Sequence, residues 1–241
     1  MNTIRYIIVC FLILVSCSNE EETASTLSAY TQGRITEIGA VIACAASDGV
    51  NNDILTFYYP ETGATDIRFY QTNDVNVDHS NFSNYSRTLL NSSPFFNGYL
   101  GKFTQAFDNE KWVIVTFELE GEIKISNPIR TKQISKPTIW MDDVDIDQNE
   151  SGMPHFTWID DVVGDNAIYF QVISDAQNNL LSGTYTFENH FQYYNIDNVV
   201  LNITTQTPPD LTLNANYNFT LMDVSEDNWV NLVINKKFIA Q

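Results

Sequence analysis

Short runs of alternating apolar residues, broken by turn-forming residues, constrain the fold of this 241-residue chain more than any other feature. Leu55, Phe57 and Tyr59 alternate with other residues, and residues 112–119 form the most apolar of these runs. Alternation with period two places side chains on one face of a β-strand, and no long stretch follows the 3.6-residue period of a helix. The chain is also rich in strand-favouring aromatic residues, with 15 Phe and 12 Tyr. The sequence therefore predicts an all-β fold.

The strand-like runs fall into two groups, residues 35–132 and residues 137–241. Each group is about 100 residues long, which is the usual size of one domain. Turn signals such as Gly164-Asp165-Asn166 separate the strands. Many short strands at this spacing are typical of a sandwich of two sheets. We therefore expect two tandem β-sandwiches.

Residues 1–16 have the layout of a secretory signal peptide, with Arg5 ahead of an apolar run over residues 6–15. Ten helical residues span only about 15 Å, whereas the hydrocarbon core of a bilayer is about 30 Å thick. The run is thus too short for a stable transmembrane helix.

The end of this run, Leu14-Val15-Ser16-Cys17, resembles the lipobox of bacterial lipoproteins. The resemblance implies cleavage before Cys17, attachment of a diacylglyceryl group to its sulfur, and acylation of the new amino terminus. Two or more acyl chains make such an anchor effectively permanent. The alternative is an ordinary signal peptide with an incidental cysteine at this position.

Three glutamates, residues 20–22, follow Cys17 closely. The run is similar to the acidic surface-export signal of some outer-membrane lipoproteins, which implies display outside the cell. A solvated, self-repelling spacer is the alternative interpretation, with the protein facing the periplasm. The polar, small residues that continue from there predict a flexible tether over residues 17–34.

The net charge argues against a nucleic-acid-binding protein, and the cysteine count argues against a protein stabilised by disulfides. The chain has 12 basic and 30 acidic residues, a formal charge of −18, and cleavage before Cys17 would remove only Arg5 from this count. So acidic a chain repels phosphate backbones, and we expect no nucleic-acid partner. With Cys10 cleaved off and Cys17 lipidated, Cys44 would be left alone, so no intrachain disulfide can form. We expect Cys44 to be a small core residue rather than a reactive thiol.

The second half resembles a fibronectin type III domain. Pro154 and Trp158 precede a glycine turn, residues 168–172 read Ile-Tyr-Phe-Gln-Val, and Leu213 is followed by Tyr217. The resemblance implies a seven-stranded sandwich with Trp158 in its core and with Tyr217 bonding back to the chain upstream. The first half fits less well, and an immunoglobulin-like sandwich of another topology stays open there.

The two halves also match one another at a spacing of 101 residues. Phe57 aligns with Trp158, and Phe69 aligns with Phe170, each pair at the same distance from a glycine. Equal spacing across two strands indicates a weak internal repeat.

One acidic stretch predicts a calcium site. Oxygen ligands at every second position can converge on Ca²⁺ when a loop curls. The candidate ligands are Asp143, Asp145, Asp147, Asn149 and Glu150. The alternative is a solvated loop between strands.

A cluster of aromatic residues is the candidate ligand-binding surface, because ring faces stack on the apolar faces of sugars. The candidates are Phe191, Tyr193, Tyr194 and Trp229. The alternative is that these rings fill the cores of the sandwiches.

The sequence contains no serine nucleophile motif, glycine-rich phosphate loop or cysteine–histidine arrangement. We therefore expect a non-catalytic, lipid-anchored protein at the outer-membrane surface, with no cofactor other than the calcium considered above. Its anchor, acidic run and tandem sandwiches together resemble an accessory glycan-binding lipoprotein of a polysaccharide-uptake system. The alternative is a structural or adhesion spacer that docks to another envelope protein through an edge strand or through the Asn-rich residues 73–97.

Overall fold

A computed structural model describes residues 25–241 of the chain. The prediction of an all-β fold is confirmed, because strands form four sheets and helices are confined to short segments. In the first half, one helix and ten strands are α1 (Leu27–Thr31), β1 (Thr36–Val41), β2 (Ala43–Ser47), β3 (Asp53–Tyr58), β4 (Thr65–Gln71), β5 (Ser86–Thr88), β6 (Ser93–Phe95), β7 (Leu100–Ala106), β8 (Trp112–Leu119), β9 (Glu122–Ser126) and β10 (Ile129–Arg130). Single-turn 3-10 helices lie at Phe82–Asn84 and Phe96–Gly98.

Nine strands form the second half. They are β11 (Ile139–Met141), β12 (Asp145–Asp147), β13 (His155–Thr157), β14 (Ile168–Asp175), β15 (Leu180–Thr186), β16 (His190–Gln192), β17 (Val199–Asn202), β18 (Asn216–Val224) and β19 (Val230–Ile239).

Each half is a sandwich of two sheets. In the first sandwich, sheet I has the strand order β1-β9-β8-β4-β5, with β10 also paired to β8, and sheet II has the order β2-β3-β7-β6. In the second sandwich, sheet III has the order β11-β19-β18-β14-β15-β17, and sheet IV has the order β12-β13-β16. The two tandem sandwiches predicted from the alternation are therefore present.

The two sandwiches share one strand plan. In each, the first strand runs parallel to a strand near the end of the half, β1 with β9 and β11 with β19. The next strand then crosses to the opposite sheet, where it pairs with its successor, β2 with β3 and β12 with β13. This shared plan supports the internal repeat at the level of topology.

The register of the predicted repeat is wrong by one residue. Phe57 does not face the core of its own sandwich, whereas Trp158 does. A spacing of 100 residues instead pairs Tyr58 with Trp158 and Phe69 with Tyr169, all of which face their own core. A shift of one residue along a strand moves every side chain to the other face, so a small alignment error inverts the inferred burial.

The two sandwiches pack against each other through one face of sheet II and one face of sheet III. Leu55, Phe57 and Leu100 of sheet II pack against Phe170 and Met222 of sheet III. These residues form what we call the central layer, a third apolar layer between the cores of the two sandwiches. The described part of the chain is thus a stack of four sheets in the order I-II-III-IV.

Trp229 joins the two sandwiches further. It lies in the turn between β18 and β19 of the second sandwich, but its ring is fully buried among Val41, Ala45 and Ile129 of the first. Its neighbour Asn228 accepts a 3.0 Å hydrogen bond at its carbonyl from Ala45 N. The second sandwich therefore inserts a side chain into the core of the first.

The N-terminal segment is folded from residue 25 onward, which corrects the predicted tether boundary at residue 34. α1 lies on the outer face of sheet I, where Leu27 and Tyr30 are buried against Tyr70 and Ile114. The polar composition of this segment predicts a tether. However, the buried side chains of Leu27 and Tyr30, three positions apart, are enough to dock one helical turn on the sheet. The part of the predicted tether before residue 25 lies outside the described residues.

Two contacts expected from the fibronectin-like pattern are present in the second sandwich. Trp158 is buried in the core between sheets III and IV. The hydroxyl of Tyr217 accepts a 2.8 Å hydrogen bond from Thr212 N, five residues upstream. The tyrosine thus ties the chain entering β18 to the segment before it.

Candidate functional site

A polar groove opens where sheet III extends beyond the cover of sheet II. Across β14, β18 and β19, the row Phe170, Met222 and Val233 is buried in the central layer. Further along the same strands, Ser174, Asn218 and Lys237 occupy a parallel row on the same face of the sheet. One face of the sheet therefore changes from apolar to polar at the edge of the interface.

The opposite wall of the groove comes from the first sandwich. Phe95 and Phe96 pack against each other there, with ring centroids 4.3 Å apart and ring planes tilted by 47°. The backbone of Phe96, Asn97 and Gly98 has three consecutive positive φ angles of 46°, 51° and 91°. Left-handed backbone at non-glycine residues persists only where the surroundings fix it, and such residues cluster at ligand sites.

Asn97 fixes this wall across the interface. Its Nδ2 donates a 2.8 Å hydrogen bond to Gln177 O and a 2.7 Å hydrogen bond to Asn179 Oδ1 in the second sandwich. Part of the Asn-rich region that we considered as a docking segment for another protein therefore docks within this chain.

Two adjoining cavities make up what we call the amide groove. They have volumes of about 320 Å³ and about 350 Å³, which is within the usual range of small-molecule sites. They adjoin because Asn178, Asn218 and Lys237 line both. The remaining polar side chains of the lining are Asn97, Ser174, Asn216, Tyr217, Thr220 and Asn235.

Several amides of the groove are free to bind a ligand. Asn218 Nδ2 donates a 3.0 Å hydrogen bond to Asp175 O, which leaves its side-chain oxygen available. Among residues 25–241, the side-chain amides of Asn178, Asn216 and Asn235 make no hydrogen bond to the protein. Each amide offers both a donor and an acceptor, so together they can match the hydroxyl groups of a sugar.

A separate, apolar cavity lies at another edge of the central layer. It has a volume of about 180 Å³ and includes Cys44, Phe57, Ile168 and Tyr185 among its lining residues. Burial raises the pKa of the Cys44 thiol to about 12. The thiol is therefore protonated at neutral pH, in agreement with the prediction that Cys44 is a small core residue rather than a nucleophile.

The predicted aromatic platform is wrong. Phe191 and Tyr193 are buried in the core of the second sandwich, and Trp229 is buried in the first. Tyr193 also donates from its hydroxyl to Pro209 O. Tyr194 is half-buried, with its hydroxyl accepting a 2.9 Å hydrogen bond from Asn202 Nδ2. The alternation of these rings with polar residues reflects one buried face of β16 and the turn after it, not an exposed surface.

The predicted calcium loop is also wrong, because much of it is a strand. Asp145 and Asp147 lie on β12, where Ile146 between them packs towards the core. A calcium loop must curl so that successive ligands surround the ion, whereas an extended strand keeps its carboxylates in a straight row. Asp143, Asn149 and Glu150 lie outside the strand, and Glu150 accepts a hydrogen bond from Gln192 Nε2. Within residues 25–241, no group of three acidic, histidine or cysteine side chains is placed to hold a metal ion.

The predicted anchor residue, Cys17, lies outside the described residues. In the segment that the structure does describe, no helix has the length and apolar character needed to cross a bilayer.

The outer edge of sheet III carries an exposed apolar patch. β17 is the last strand of this sheet, and two of its four side chains, Val200 and Leu201, are 51% and 42% exposed. Phe187 and Ile196, in the neighbouring loops, are also exposed. We call these four residues the β17 patch.

Comparison with known proteins adds little to this description. No protein-family model matches the chain, and no curated protein matches its sequence. A similar solved structure comes from work on the structural basis of neurohormone perception by the receptor tyrosine kinase Torso. It is 14% identical over 87% of this chain and 76% of that one, with a TM-score of 0.26. The assignment of the fold therefore rests on the strand pairing described above.

Proposed function

We propose that this chain is a non-catalytic, lipid-anchored binding protein of the outer-membrane surface, which holds a polysaccharide in the amide groove. The observation that carries the proposal is the groove itself, in which asparagine side chains without protein partners line two adjoining cavities. Hydroxyl-rich ligands need many donors and acceptors at close spacing, and side-chain amides supply both.

The groove replaces the aromatic platform as the candidate glycan site. Carbohydrate binding was expected to rest on ring stacking, but three of the four candidate rings are buried. Phe95 is the half-buried ring that lines the groove, so stacking would be limited to one sugar unit.

The lipobox-like segment supports a membrane anchor close to the folded protein. Eight peptide steps separate Cys17 from Ser25, where the described fold begins. Fully extended, they span at most about 29 Å. With α1 docked on sheet I, lipidation of Cys17 would hold the first sandwich next to the membrane surface.

The anchor is tested by replacing Cys17 with alanine. We expect the Cys17→Ala chain to leave the membrane fraction, because no thiol remains to carry the diacylglyceryl group. Cys10→Ala, a matched change inside the signal peptide, is the control and should stay membrane-bound. Retention of Cys17→Ala in washed membranes would contradict the anchor.

Glycan binding is tested by electrophoresis of the soluble chain, residues 18–241, through gels that contain single polysaccharides. We expect retardation by at least one polysaccharide, and we expect Asn218→Ala together with Asn235→Ala to abolish it. A folded chain that migrates freely in every gel would contradict glycan binding.

The second candidate function is a spacer that docks to another envelope protein. It is favoured by the β17 patch, because an unpaired strand edge flanked by exposed apolar side chains can accept a strand from a partner. Cross-linking on whole cells would distinguish the two candidates. If residues at the β17 patch capture a specific envelope protein and Leu201→Lys prevents this, the spacer function is favoured.

A further inference from the structure

We infer that the amide groove is selective for an acidic oligosaccharide, whose carboxylates pair with Lys237 and Lys102. This inference rests on the proposed function and adds the chemical class of the ligand.

The first observation is the set of lysines that have no acidic partner. Five lysines form ion pairs with carboxylates, namely Lys111, Lys124, Lys132, Lys136 and Lys236. Among residues 25–241, the lysines without such a pair are Lys102 and Lys237. In a chain with 30 acidic and 12 basic residues, a lysine without a carboxylate partner is unusual.

The second observation is that Lys237 lines the groove and that Lys102 lies beside one of its walls. Lys237 lines both of its cavities. Lys102, on β7, has its Nζ 5.9 Å from the centroid of the Phe95 ring, which forms part of the opposite wall. Lys102 is paired with Phe57 across the strands, so it lies on the face of sheet II that looks towards sheet III. Lys102 lines neither cavity, so it would meet a carboxylate of a ligand that extends from the groove past the Phe95 ring.

The third observation is the absence of carboxylates from the groove within the described part of the chain. No aspartate or glutamate lines either cavity. By contrast, a cavity beside β1 is lined by Glu37, Glu61 and Glu120. The Asp175 carboxylate, at the end of β14 beside the groove, accepts a 2.7 Å hydrogen bond from Asn179 Nδ2. The groove lining itself carries no negative side chain, which favours an anionic ligand there.

The ligand class follows from the balance of charge and amides. Two lysines among many amides match a chain of hydroxyl groups that carries a carboxylate at intervals, as in a uronic-acid oligosaccharide.

The test is calorimetric titration of the soluble chain, residues 18–241, in EDTA, so that a divalent cation cannot bridge carboxylates. The probes are an oligogalacturonate and the same oligomer with its carboxylates methyl-esterified. We expect the acidic oligomer to bind at least about tenfold more tightly, since a hydrogen bond to a charged group is worth that factor or more. Added salt should reduce this difference.

Matched variants locate the site. Lys237→Gln and Lys102→Gln should each weaken binding of the acidic oligomer about tenfold and leave the esterified oligomer nearly unaffected. Lys236→Gln is the control, because Lys236 precedes Lys237 on β19, points to the opposite face and pairs with Asp142. Circular dichroism confirms that each variant is folded.

The outcomes separate this inference from the proposed function. Equal binding of both oligomers, or acidic binding that survives Lys237→Gln and Lys102→Gln, overturns the acidic selectivity but leaves a glycan site standing. Failure of both oligomers to bind also overturns the inference. The proposed function then depends on the gel assay, where a neutral polysaccharide can still reveal the groove.

Discussion

The indole Nε1 of Trp229 donates a 2.7 Å hydrogen bond to the carbonyl oxygen of Lys136. This bond joins the turn between β18 and β19 to the segment that links the two sandwiches, while the ring itself is buried in the first sandwich. A short pair of contacts reinforces the link, since Ser47 N donates to Thr138 Oγ1 at 2.8 Å and Thr138 N donates to Ser47 Oγ at 3.1 Å. The linker is therefore part of the packed interface.

Trp229→Ala should lower the free energy of unfolding by about 3–5 kcal/mol, because it leaves a cavity in the first sandwich and removes a buried hydrogen bond. Urea denaturation followed by circular dichroism measures the change. Val50→Ala is the control, because Val50 is 90% exposed, and it should cost much less. Equal losses for the two variants would show that Trp229 does not fasten the sandwiches together.

Leu27→Ala should also destabilise the fold, by about 2–5 kcal/mol, because Leu27 is fully buried against sheet I. The change is measured by thermal unfolding of the soluble chain. Ala29→Ser, on the exposed side of α1, serves as the control. If Leu27→Ala leaves the midpoint unchanged, the N-terminal segment is not docked in solution.

Cys44 should react slowly with iodoacetamide. It is the sole thiol of residues 18–241, and its raised pKa of about 12 leaves little thiolate near neutral pH. We expect alkylation at least about tenfold slower than in the urea-denatured chain, with a rate still rising above about pH 10. A fast reaction that levels off near the ordinary thiol pKa of about 8.5 would mean that the apolar cavity is open to water.

The charged form of the Asp223 carboxylate should destabilise the folded state. It is fully buried, and its Oδ1 accepts hydrogen bonds from Asn166 Nδ2 at 3.0 Å and Asn231 Nδ2 at 3.2 Å. Its Oδ2 has no hydrogen-bond partner in the described structure. Burial raises the pKa of Asp223 above the usual value of 3.8.

Because this pKa is raised in the folded state, the stability associated with Asp223 is fully present below the unfolded pKa and is lost as pH rises through the folded pKa. Asp223→Asn has no titratable group at this position, so its Tm should rise relative to the wild-type Tm as pH increases above about 4. Calorimetry across this range measures the gap. A Tm difference between variant and wild type that stays constant with pH, or that moves in favour of the wild type as pH rises, would contradict the raised pKa.

The sequence predicted the class of fold well and its packing less well. The apolar and β-branched runs along β8, β14 and β18 are strong enough to identify strands, and the structure confirms the predicted contacts of Trp158 and Tyr217. Alternation could not show that Leu55 and Phe57 face a neighbouring sandwich, because a strand buried on both faces looks like any apolar run.

The candidate sites were harder to predict, because they depend on which faces meet. Asn216, Asn218 and Lys237 alternate with buried residues, as the solvent-facing side of any half-buried strand would. Only the approach of Asn97 from the first sandwich makes that side the floor of a groove. The aromatic run from Phe191 to Tyr194 is the stronger sequence signal for a ligand site, yet Phe191 and Tyr193 are buried in the core of the second sandwich.

Amide hydrogen exchange of the soluble chain, with and without the polysaccharide that retards it most, tests the central claim most directly. Binding in the amide groove predicts added protection in β18 and β19 around Asn218 and Lys237, and in the segment around Asn97. Protection confined to β17 and the loop at Phe187, or a pattern unchanged by the polysaccharide at saturating concentration, would contradict a glycan site at the junction of the sandwiches.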